Sequence, residues 1–425
     1  SCDERVLVVA RLDIVGPCKL RGEVSIHGAK NSALPLLSAC LLCNSECILH
    51  NCPRLSDVDI CIKILEHLGC NVKREGHNVI VDPTTLTHSD IPDYLMREMR
   101  SSIVFLGAIL TRTGQACLSL PGGCELGPRP IDLHLSALGK LGVHIKECHG
   151  SMKCTTGDGL KGNNISLAFP SVGATENIML ASVCAEGVTV IHNAAREPEI
   201  CDLAHFLNKC GAHISGAGES TIIIDGVQCL HGCEYTVMAD RIAATTFMSA
   251  AAVTGSHITL KDIVPSHLES VLPIFEEAGC SYHLKGDALS ITGPKRLQPL
   301  KLVRTMPYPG FPTDAQAPVM AMAALAEGTS VFVETIFESR YKHVCELTRL
   351  GAKIKVEGRV AIIEGVPKFY GTSVCAAELR GAAALVVAGL AAEGKTSVYG
   401  LNYLDRGYEK IEVSLSQLGA NIIRK

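Results

Sequence analysis

The stretch EHLGCNV (66–72) contains the end of a helix at Leu68-Gly69 and the start of a strand at Asn71-Val72. A glycine after the last helical residue is typical of a helix C-terminus, because glycine adopts positive φ at little cost. The same signature recurs five more times, and its glycines are Gly69, Gly142, Gly211, Gly279, Gly351 and Gly419. Successive glycines lie 68 to 73 residues apart, so the chain contains six repeats of one unit.

A second shared block precedes these glycines. ACLLCNSECILHN (39–51), ASVCAEGVTVIHN (181–193) and AALAEGTSVFVET (323–335) each predict an Ala-rich helix, a turn and a strand. Each repeat of about 70 residues is therefore predicted to contain a helix, a strand, a second helix and a second strand in that order, with one further strand between repeats. Six copies divide as three plus three, which predicts an α/β fold of two similar domains with helices packed on sheets.

Composition excludes several classes of protein. Of the 425 residues, 47% are apolar and 19% are charged, which is unlike a disordered chain. The net charge of −4 argues against a broad nucleic-acid surface. The longest apolar run, residues 381–392, is shorter than the roughly 20 residues of a membrane span. Asp3 and Glu4 do not fit the positive start of a signal peptide.

The 20 cysteines first suggest a disulfide scaffold or a metal cluster. Disulfide scaffolds are short and rich in loops, whereas this chain is long and apolar, which favours a reduced cytoplasm. The spacing of Cys40, Cys43, Cys47 and Cys52 resembles a thiolate metal site. However, the first three align with Ser182, Ala185 and Thr189 of the third repeat, so packing in the core is the favoured interpretation.

One cysteine has different surroundings. PGGCELGPRPIDLH (121–134) places Cys124 and Arg129 among three prolines and three glycines, which predicts a loop. A cysteine beside arginine can ionise easily and act as an acid or a nucleophile. The alternative is a buried structural cysteine.

Several cations could bind an anionic ligand. GAKN (28–31) precedes an apolar helix, and a helix N-terminus with Lys30 is an anion site. Arg100, Arg129 and Arg406 are further candidates, because arginine binds carboxylates and phosphates in a bidentate manner. Arg129 and Arg406 follow strands at corresponding places in the second and sixth repeats. The alternative for each arginine is a surface salt bridge.

The acidic residues of two segments each allow two different roles. In PGFPTDAQAP (309–318), Asp314 precedes an Ala/Met-rich helix, where it is either a structural N-cap or a general base. NAAREPEICD (193–202) leaves the same choice open for Glu197 and Glu199.

Together these segments resemble the enolpyruvyl transferases. The resemblance covers nearly the whole chain, in the order GAKNSALP, PGGCELGPRPIDLH, PSVGATENIM, NAAREPEI, DRIAATTF, PGFPTDAQ, FESRYKHVCEL and LDRGYEKIE. It implies two inside-out α/β barrel domains of three repeats each. Because the chain of the family crosses between domains twice, it implies one domain of residues 31–238 and another of residues 1–30 with 239–425. It also implies an active site between the domains.

The resemblance implies transfer of the enolpyruvyl group of phosphoenolpyruvate to the 3-hydroxyl of UDP-N-acetylglucosamine, with release of phosphate. This is the first committed step of peptidoglycan precursor synthesis, in the cytoplasm, by addition and elimination. The implied roles are Cys124 as general acid and fosfomycin target, Asp314 as base, and Lys30 and Arg406 as catalytic cations. The expected partners are the two substrates alone, without nucleic acid or membrane. The oligomeric state stays open, with a monomer favoured. No metal or other cofactor is expected.

The resemblance also assigns binding residues. For phosphoenolpyruvate they are Lys30, Asn31, Arg100, Arg129, Arg340, Glu378 and Arg406. For UDP-N-acetylglucosamine they are Asn31, Arg100, Arg129, Pro130, Ile131, Asp132, Leu133, Ser171, Val172, Gly173, Asp314 and Ile336. Three residues depart from the family pattern: Glu378 replaces a common Asp, Tyr403 a frequent His, and Ser56 a frequent Lys. These departures affect the expected rate and affinity rather than the reaction.

Three alternatives stay open. The shikimate-pathway member of the family, 5-enolpyruvylshikimate 3-phosphate synthase, lacks the cysteine loop and usually has Lys-Ser where this chain has Lys30-Asn31. A non-catalytic relative would bind UDP-sugars without turnover. A cysteine-rich metal or redox protein would contain stoichiometric iron or zinc.

Overall fold

The computed structural model describes residues 9–119 and 131–425. These residues form two compact units. The inserted unit comprises residues 27–240 together with 307–309, and the host unit comprises residues 9–26, 241–306 and 310–425. Each unit contains three of the six repeats, since the repeat glycines fall three to a unit.

The boundaries between the units differ slightly from the expected 30/31 and 238/239. Residues 27–30 and 239–240 all belong to the inserted unit, because the two segments are hydrogen-bonded to each other. Ala29 N donates to Met238 O at 2.7 Å, and Asp240 N donates to His27 O at 2.9 Å. Residues 307–309 also belong there, where Tyr308 N donates to the Glu197 carboxylate at 3.3 Å.

The helices are, in chain order, α1 (Lys30–Ala39), α2 (Ser56–Leu68), α3 (Asp93–Glu98), α4 (Phe105–Thr113), α5 (Asp132–Lys140), α6 (Val172–Ser182), α7 (Pro198–Lys209), α8 (Arg241–Val253), α9 (Leu272–Glu277), α10 (Gln316–Ala323), α11 (Val344–Arg349), α12 (Leu379–Ala391), α13 (Leu401–Leu404) and α14 (Ile411–Gln417). Short 3-10 turns occur at Cys40–Leu42, Arg100–Val104, Pro265–Leu268 and Thr313–Ala315.

The strands are β1 (Arg11–Gly16), β2 (Arg21–Ser25), β3 (Cys47–His50), β4 (Asn71–Glu75), β5 (Asn78–Asp82), β6 (Asp90–Ile91), β7 (Gln115–Ser119), β8 (His144–Cys148), β9 (Ser151–Thr155), β10 (Asn164–Ser166), β11 (Val188–His192), β12 (His213–Ser215), β13 (Thr221–Asp225), β14 (Glu234–Thr236), β15 (His257–Lys261), β16 (Ser281–Lys285), β17 (Ala288–Thr292), β18 (Val303–Arg304), β19 (Thr329–Val333), β20 (Lys353–Glu357), β21 (Val360–Glu364), β22 (Ser373–Cys375), β23 (Gly394–Tyr399) and β24 (Asn421–Arg424).

All six repeats build the same four-stranded sheet. In the second repeat the order is β6-β7-β9-β8, where β6 is parallel to β7 and β9 is antiparallel to both β7 and β8. The expected count of three strands per repeat was one too low, because the segment after each repeat glycine folds as a hairpin in five of the sheets. One edge strand of each sheet lies parallel to its neighbour, and the other lies antiparallel.

Three sheets are completed by strands from distant parts of the chain. Strand β14 pairs with β3 and completes the first sheet of the inserted unit. Strand β1 lies between β23 and β24, and β2 lies beside β15, in sheets of the host unit. The N-terminal strands therefore belong to sheets that the C-terminal half builds.

The repeat glycines end helices in the way that the sequence predicts. The φ angles of all six lie between 95° and 106°, a region that other residues enter only at a cost. Gly69 adopts φ 103° directly after α2, and Cys70 N then donates to Leu65 O at 3.0 Å. This is the hydrogen bond that closes a glycine-terminated helix.

Each unit has buried helices inside and sheets outside. In the host unit α8, α10 and α12 pack on one another, and almost every residue in them is buried. Their sequences are apolar or small all round, such as GAAALVVAGLA in α12, as expected of helices without a solvent face. In the inserted unit α1 and α6 both contact α4. In the parts of the chain that the structure describes, no helix combines the length and the apolar character needed to cross a membrane.

Candidate functional site

In the host unit, Asp314 lies between two arginines. Arg340 Nη2 donates to Asp314 Oδ1 at 2.9 Å, and Arg380 Nη2 donates to Asp314 Oδ2 at 3.3 Å. We call these three residues the Asp314 cluster. Both arginine side chains are buried, with 2% and 3% exposed, whereas Asp314 keeps 28% of its side chain exposed. The cluster carries one more positive than negative charge, so it favours an anionic ligand.

The local fold bears on one of the two roles left open for Asp314, that of a structural N-cap. Asp314 lies in the 3-10 turn before α10, and the N-cap residue of α10 is Ala315, without a side-chain cap. The structural N-cap role is therefore not observed. The carboxylate instead binds the arginines, and a carboxylate can accept more hydrogen bonds than these two. Its exposed fraction leaves it accessible to a proton donor.

The buried carboxylate of Glu334 fixes the neighbouring segments. Thr313 Oγ1 donates to Glu334 Oε2 at 3.0 Å, one residue before Asp314. Ile336 N and Phe337 N donate to Glu334 Oε1 at 2.8 and 3.0 Å. Glu334 is 1% exposed. It thereby holds two of the expected ligand-binding positions, Asp314 and Ile336, in one local structure.

The second arginine of the cluster is held by the start of α12. Glu378 caps this helix, and its carboxylate accepts hydrogen bonds from Arg380 N at 2.8 Å and from Gly381 N. Arg380 Nη1 donates to Tyr408 Oη at 3.2 Å, and Tyr408 Oη lies 2.8 Å from Thr246 Oγ1. The carboxylate of Glu378 thus stabilises the helix N-terminus that presents Arg380.

In the inserted unit, Lys30 is the first residue of α1, as the sequence predicts. Its Nζ lies 2.8 Å from Asp57 Oδ2, and Asp57 is buried at the start of α2. Lys30 N also donates to Asp240 Oδ2 at 3.3 Å. These contacts fix the lysine at a helix N-terminus, where a bound anion would also find the positive end of the helix.

Arg100 and Asn31 are both partly exposed in the same unit. Arg100 begins the 3-10 turn before α4. Its Nη1 is buried and has no hydrogen-bond partner among the described residues. A buried guanidinium nitrogen is costly unless something accepts from it, and a ligand oxygen would serve.

Helix α6 begins at the segment Ser171–Gly173. Ser171 is the N-cap, and its hydroxyl accepts from Ala174 N at 3.2 Å. The first N–H groups of a helix have no acceptor within the helix, so those of Val172 and Gly173 are suited to bind an anion. A Cβ on Gly173 would lie 2.9 Å from His134 Cε1, so glycine is required by the close approach of the imidazole.

His134 is held as the neutral imidazole. The side-chain oxygen of Asn177 accepts from Gly107 N at 2.9 Å, so its amide nitrogen is the donor toward Ile103 O at 3.0 Å and toward His134 Nδ1 at 2.8 Å. Nδ1 is therefore an acceptor, and the ring proton is on Nε2. Burial lowers the pKa of His134 to about 4, which agrees with this hydrogen-bond pattern.

This arrangement predicts acid sensitivity. Because the pKa of His134 is lower in the folded than in the unfolded chain, the unfolded chain binds more protons between pH 6.5 and 4, and stability falls as the pH falls through that range. At pH 5 the loss is about 2 kcal/mol. Between pH 7 and pH 5, we expect the free energy of unfolding of His134→Gln to fall by about 2 kcal/mol less than that of the parent, as measured by urea unfolding. His283→Gln, at an exposed position of β16, should behave like the parent. Equal losses in all three proteins would contradict the prediction.

The remaining predicted residues fall in three places. Cys124, Arg129 and Pro130 lie outside the described residues. Ile131 is the N-cap residue of α5, Asp132 begins that helix in an exposed position, and Leu133 packs partly on the core. Arg406 lies partly exposed between α13 and α14, after β23, in the connection between strand and helix that the sequence predicts.

Two residues of the site escaped sequence reasoning, Arg380 and Glu334. Both are charged yet buried, in segments that are otherwise apolar: Arg380 in ELRGAAALVV and Glu334 in SVFVET. An isolated charge in an apolar segment is seldom buried without a partner. That signal alone could have marked both as candidates for a buried polar network.

The cysteines at the expected scaffold positions are buried. Cys40, Cys43 and Cys47 have no exposed surface, so their predicted place in the core is confirmed, and Cys52 is buried as well. Across residues 9–119 and 131–425, no group of three or more His, Cys, Asp or Glu side chains is arranged to hold a metal ion.

Two inside-out three-repeat units define the fold of the enolpyruvyl transferases, and solved structures share it. The crystal structure of the enolpyruvyl transferase NikO from Streptomyces tendae aligns with a TM-score of 0.89 and 25% identity, covering 98% of this chain and 99% of the other. The structure of EPSP synthase from Acinetobacter baumannii aligns with a TM-score of 0.75 and 19% identity, covering 98% and 100%. The predicted fold is confirmed.

Residues 14–415 match the family model of EPSP synthase (3-phosphoshikimate 1-carboxyvinyltransferase), and the chain belongs to this family. A UDP-N-acetylglucosamine 1-carboxyvinyltransferase 2 from Caldanaerobacter subterraneus is 51% identical, covering 98% of this chain and 100% of its own length. A UDP-N-acetylglucosamine 1-carboxyvinyltransferase from Gloeobacter violaceus is 49% identical, covering 97% and 90%. The predicted family resemblance is therefore confirmed.

Proposed function

We propose that this protein transfers the enolpyruvyl group of phosphoenolpyruvate to the 3-hydroxyl of UDP-N-acetylglucosamine and releases phosphate. The observation that carries the proposal is the 51% identity to a relative of that name over the full length of the relative. The solved EPSP synthases share the fold at only 19–20% identity, which favours the UDP-sugar over shikimate 3-phosphate as acceptor. The product would be a peptidoglycan precursor made in the cytoplasm.

The reaction proceeds by addition and elimination. Cys124 donates a proton to carbon 3 of phosphoenolpyruvate, which makes carbon 2 electrophilic. Asp314 accepts the proton of the sugar 3-hydroxyl as its oxygen bonds to carbon 2, giving a tetrahedral ketal. Carbon 3 then loses a proton as the bond from carbon 2 to the phosphate oxygen breaks, and the enol ether and phosphate are released. General acid and base catalysis each contribute typically 10²–10⁴-fold.

The cations that the resemblance assigns bind the phosphate and carboxylate of phosphoenolpyruvate in this proposal. The assigned residues are Lys30, Asn31, Arg100, Arg129, Arg340 and Arg406, to which the structure adds Arg380. Support comes from the buried, fixed positions of Lys30, Arg340 and Arg380. Prepositioned charges stabilise a transition state without reorganisation. Glu378 acts as a positioning residue, since its carboxylate binds the N-terminus of α12.

UDP-N-acetylglucosamine is assigned to a second set of residues. Arg129, Pro130, Ile131, Asp132 and Leu133 line the uridine pocket, and Ser171, Val172 and Gly173 bind the diphosphate. Asn31, Arg100, Asp314 and Ile336 contact the sugar and its phosphates. The start of α6 supports the diphosphate assignment, because helix N–H groups and the helix dipole favour phosphate oxygens.

The Gly173 position tests this assignment. We expect Gly173→Ala to weaken UDP-N-acetylglucosamine binding about tenfold, or about 1.4 kcal/mol, because the added Cβ would clash with His134 and displace the start of α6. Gly139→Ala is the matched control, since Gly139 lies within α5 with open space around its Cβ position. That control should keep its affinity and gain roughly 0.5–1 kcal/mol of stability. Isothermal titration gives both affinities, and unchanged binding by Gly173→Ala would contradict the diphosphate assignment.

The decisive experiment measures phosphate release from phosphoenolpyruvate with UDP-N-acetylglucosamine and, separately, with shikimate 3-phosphate. Release only with the UDP-sugar supports the proposal. Release only with shikimate 3-phosphate assigns the protein to the other branch of the family. Tight binding of the UDP-sugar without release under either condition identifies a non-catalytic relative.

A further inference from the structure

Five cysteine side chains come together in the inserted unit. They are Cys40, Cys43, Cys47, Cys210 and Cys233, here called the thiol cluster, and each side chain interacts with at least two of the others. Four of them have no exposed surface, and Cys233 alone is partly exposed. The cluster is not arranged to hold a metal ion. The proposed reaction does not use it.

Two of these thiols are close enough to react with each other. Cys210 Sγ and Cys233 Sγ lie 3.3 Å apart, so a shift of about 1.3 Å would bring them to the S–S distance of a disulfide. The hydrogen bond between Cys210 and Cys233 lowers the pKa of the Cys233 thiol. The same hydrogen bond, together with burial, raises the pKa of Cys210. The partly exposed thiol is thus the one that ionises more easily.

The backbone holds the pair in place. Cys210 follows the last residue of α7, and its carbonyl accepts from His231 N at 2.9 Å. The Cys233 carbonyl accepts from Ile48 N at 3.0 Å, next to strand β14. Between them, a Cβ on Gly232 would lie 1.9 Å from Glu46 O, so this segment packs tightly against residues 45–48. The proximity of the two sulfurs is a built feature of the unit.

We propose that Cys233 is a thiol–disulfide exchange site for low-molecular-weight disulfides, with Cys210 as the resolving thiol. In the first step the Cys233 thiolate attacks one sulfur of the disulfide RSSR, forming Cys233–S–S–R and releasing one RSH. In the second step Cys210 loses its proton and attacks the Cys233 sulfur, forming the Cys210–Cys233 disulfide and releasing the second RSH. Two cysteine thiols are oxidised and one RSSR is reduced.

The difference in exposure sets this order. Cys210 has no exposed surface, so an external disulfide reaches only Cys233. The mixed disulfide then lies beside a buried thiol and is resolved within the protein. The product links the end of α7 to the start of β14, two elements that Tyr235 Oη and Asp202 Oδ1 already join at 2.6 Å. The oxidised protein therefore keeps its fold. Intracellular disulfides of this kind are usually transient and redox-sensing.

The test treats the folded full-length chain with oxidised glutathione, quenches with acid, alkylates the remaining thiols and maps the peptides by mass spectrometry. The parent should give a peptide pair linked through Cys210 and Cys233, without glutathione on Cys233. Cys210→Ser should retain glutathione on Cys233, because its resolving thiol is absent. Cys233→Ser should leave Cys210 as a free thiol. Exposed Cys345, in the host unit, should carry glutathione in all three proteins.

Three results would overturn the proposal: no linked pair in the parent while Cys345 is modified, a link from Cys233 to another cysteine, or no glutathione on Cys233 in Cys210→Ser. If Cys210→Ser does not fold, Cys210→Ala replaces it, and the parent map is decisive by itself. None of these readings uses turnover, so they are independent of the proposed function.

Discussion

Asp314→Asn should lower turnover of phosphoenolpyruvate and UDP-N-acetylglucosamine about 10²–10⁴-fold, the usual contribution of a general base. Asparagine has the same shape but cannot accept the proton of the sugar hydroxyl. It also removes the negative charge between Arg340 and Arg380, whose guanidinium groups lie 2.9 and 3.3 Å from the carboxylate oxygens. This single substitution would remove both the proposed general base and the negative charge of the Asp314 cluster. Steady-state phosphate release gives kcat and KM separately, and we expect the loss mainly in kcat.

Glu327→Gln is the matched control. Glu327 pairs with Arg296 at 3.4 Å on the surface of the same unit, with both side chains about three-fifths exposed. Such pairs contribute little to stability, so this variant should work like the parent. Parent-like kcat in Asp314→Asn would exclude the base role. A variant that unfolds at lower temperature and loses activity only in proportion would assign Asp314 a structural role alone.

Cys124→Ser is expected to abolish full turnover, whereas Cys124→Asp should retain part of it. The proton donor must be acidic enough to give up its proton at neutral pH, which a thiol or a carboxylic acid can do and a serine hydroxyl cannot. Removing the general acid costs about 10²–10⁴-fold. The aspartate variant should fall between the parent and Cys124→Ser in kcat. Serine turnover equal to that of the parent would show that Cys124 is not the donor.

Alkylation by fosfomycin is a second test of the role of Cys124. Its epoxide should alkylate Cys124 in the parent and leave Cys124→Asp unmodified, as seen by intact mass. Cys345→Ser is the control, because it removes an exposed thiol and should still be alkylated once, at Cys124. Modification of another cysteine with Cys124 intact would be inconsistent with the proposed chemistry.

The fold could be predicted where its cause is local. The repeat glycines were visible because a φ near 100° favours glycine whatever lies around it. The second strand of each hairpin was missed. After Gly69, for example, one strand was predicted from Asn71-Val72, but the structure has β4 and then, two residues later, β5. Only Gly76 and His77 separate the two short strands, so they look like one segment in the sequence. The pairing of β14 with β3 could not be derived from the residues, since neither short segment carries a sequence signal for a partner so far along the chain.

The residues of the candidate site also divide into those with a local sequence signal and those without one. Lys30 was placed correctly at a helix start, because GAKN before an apolar run is a local signal. The choice between an N-cap and a general base for Asp314 could not be made from the sequence, since its partners Arg340 and Arg380 lie 26 and 66 residues along the chain. The sequence alignment of Cys40, Cys43 and Cys47 correctly predicted burial. It could not show that Cys210 and Cys233 lie next to them, because that proximity depends on β14 pairing with β3.

Strand β1 is synthesised long before the strands with which it pairs, so it stays unpaired on the nascent chain. Leu12 in β1 pairs with Arg424 in β24, so at about 5–20 residues per second a ribosome makes β1 on the order of 20–80 s before its last partner. The sheets of the inserted unit can form during that interval, whereas β1 is made before that unit and pairs after it. An unpaired strand on a nascent chain is a template for aggregation. Arg11 and Asp13 place charges at alternate positions of β1, which discourages neighbouring nascent chains from pairing with it until the host unit closes.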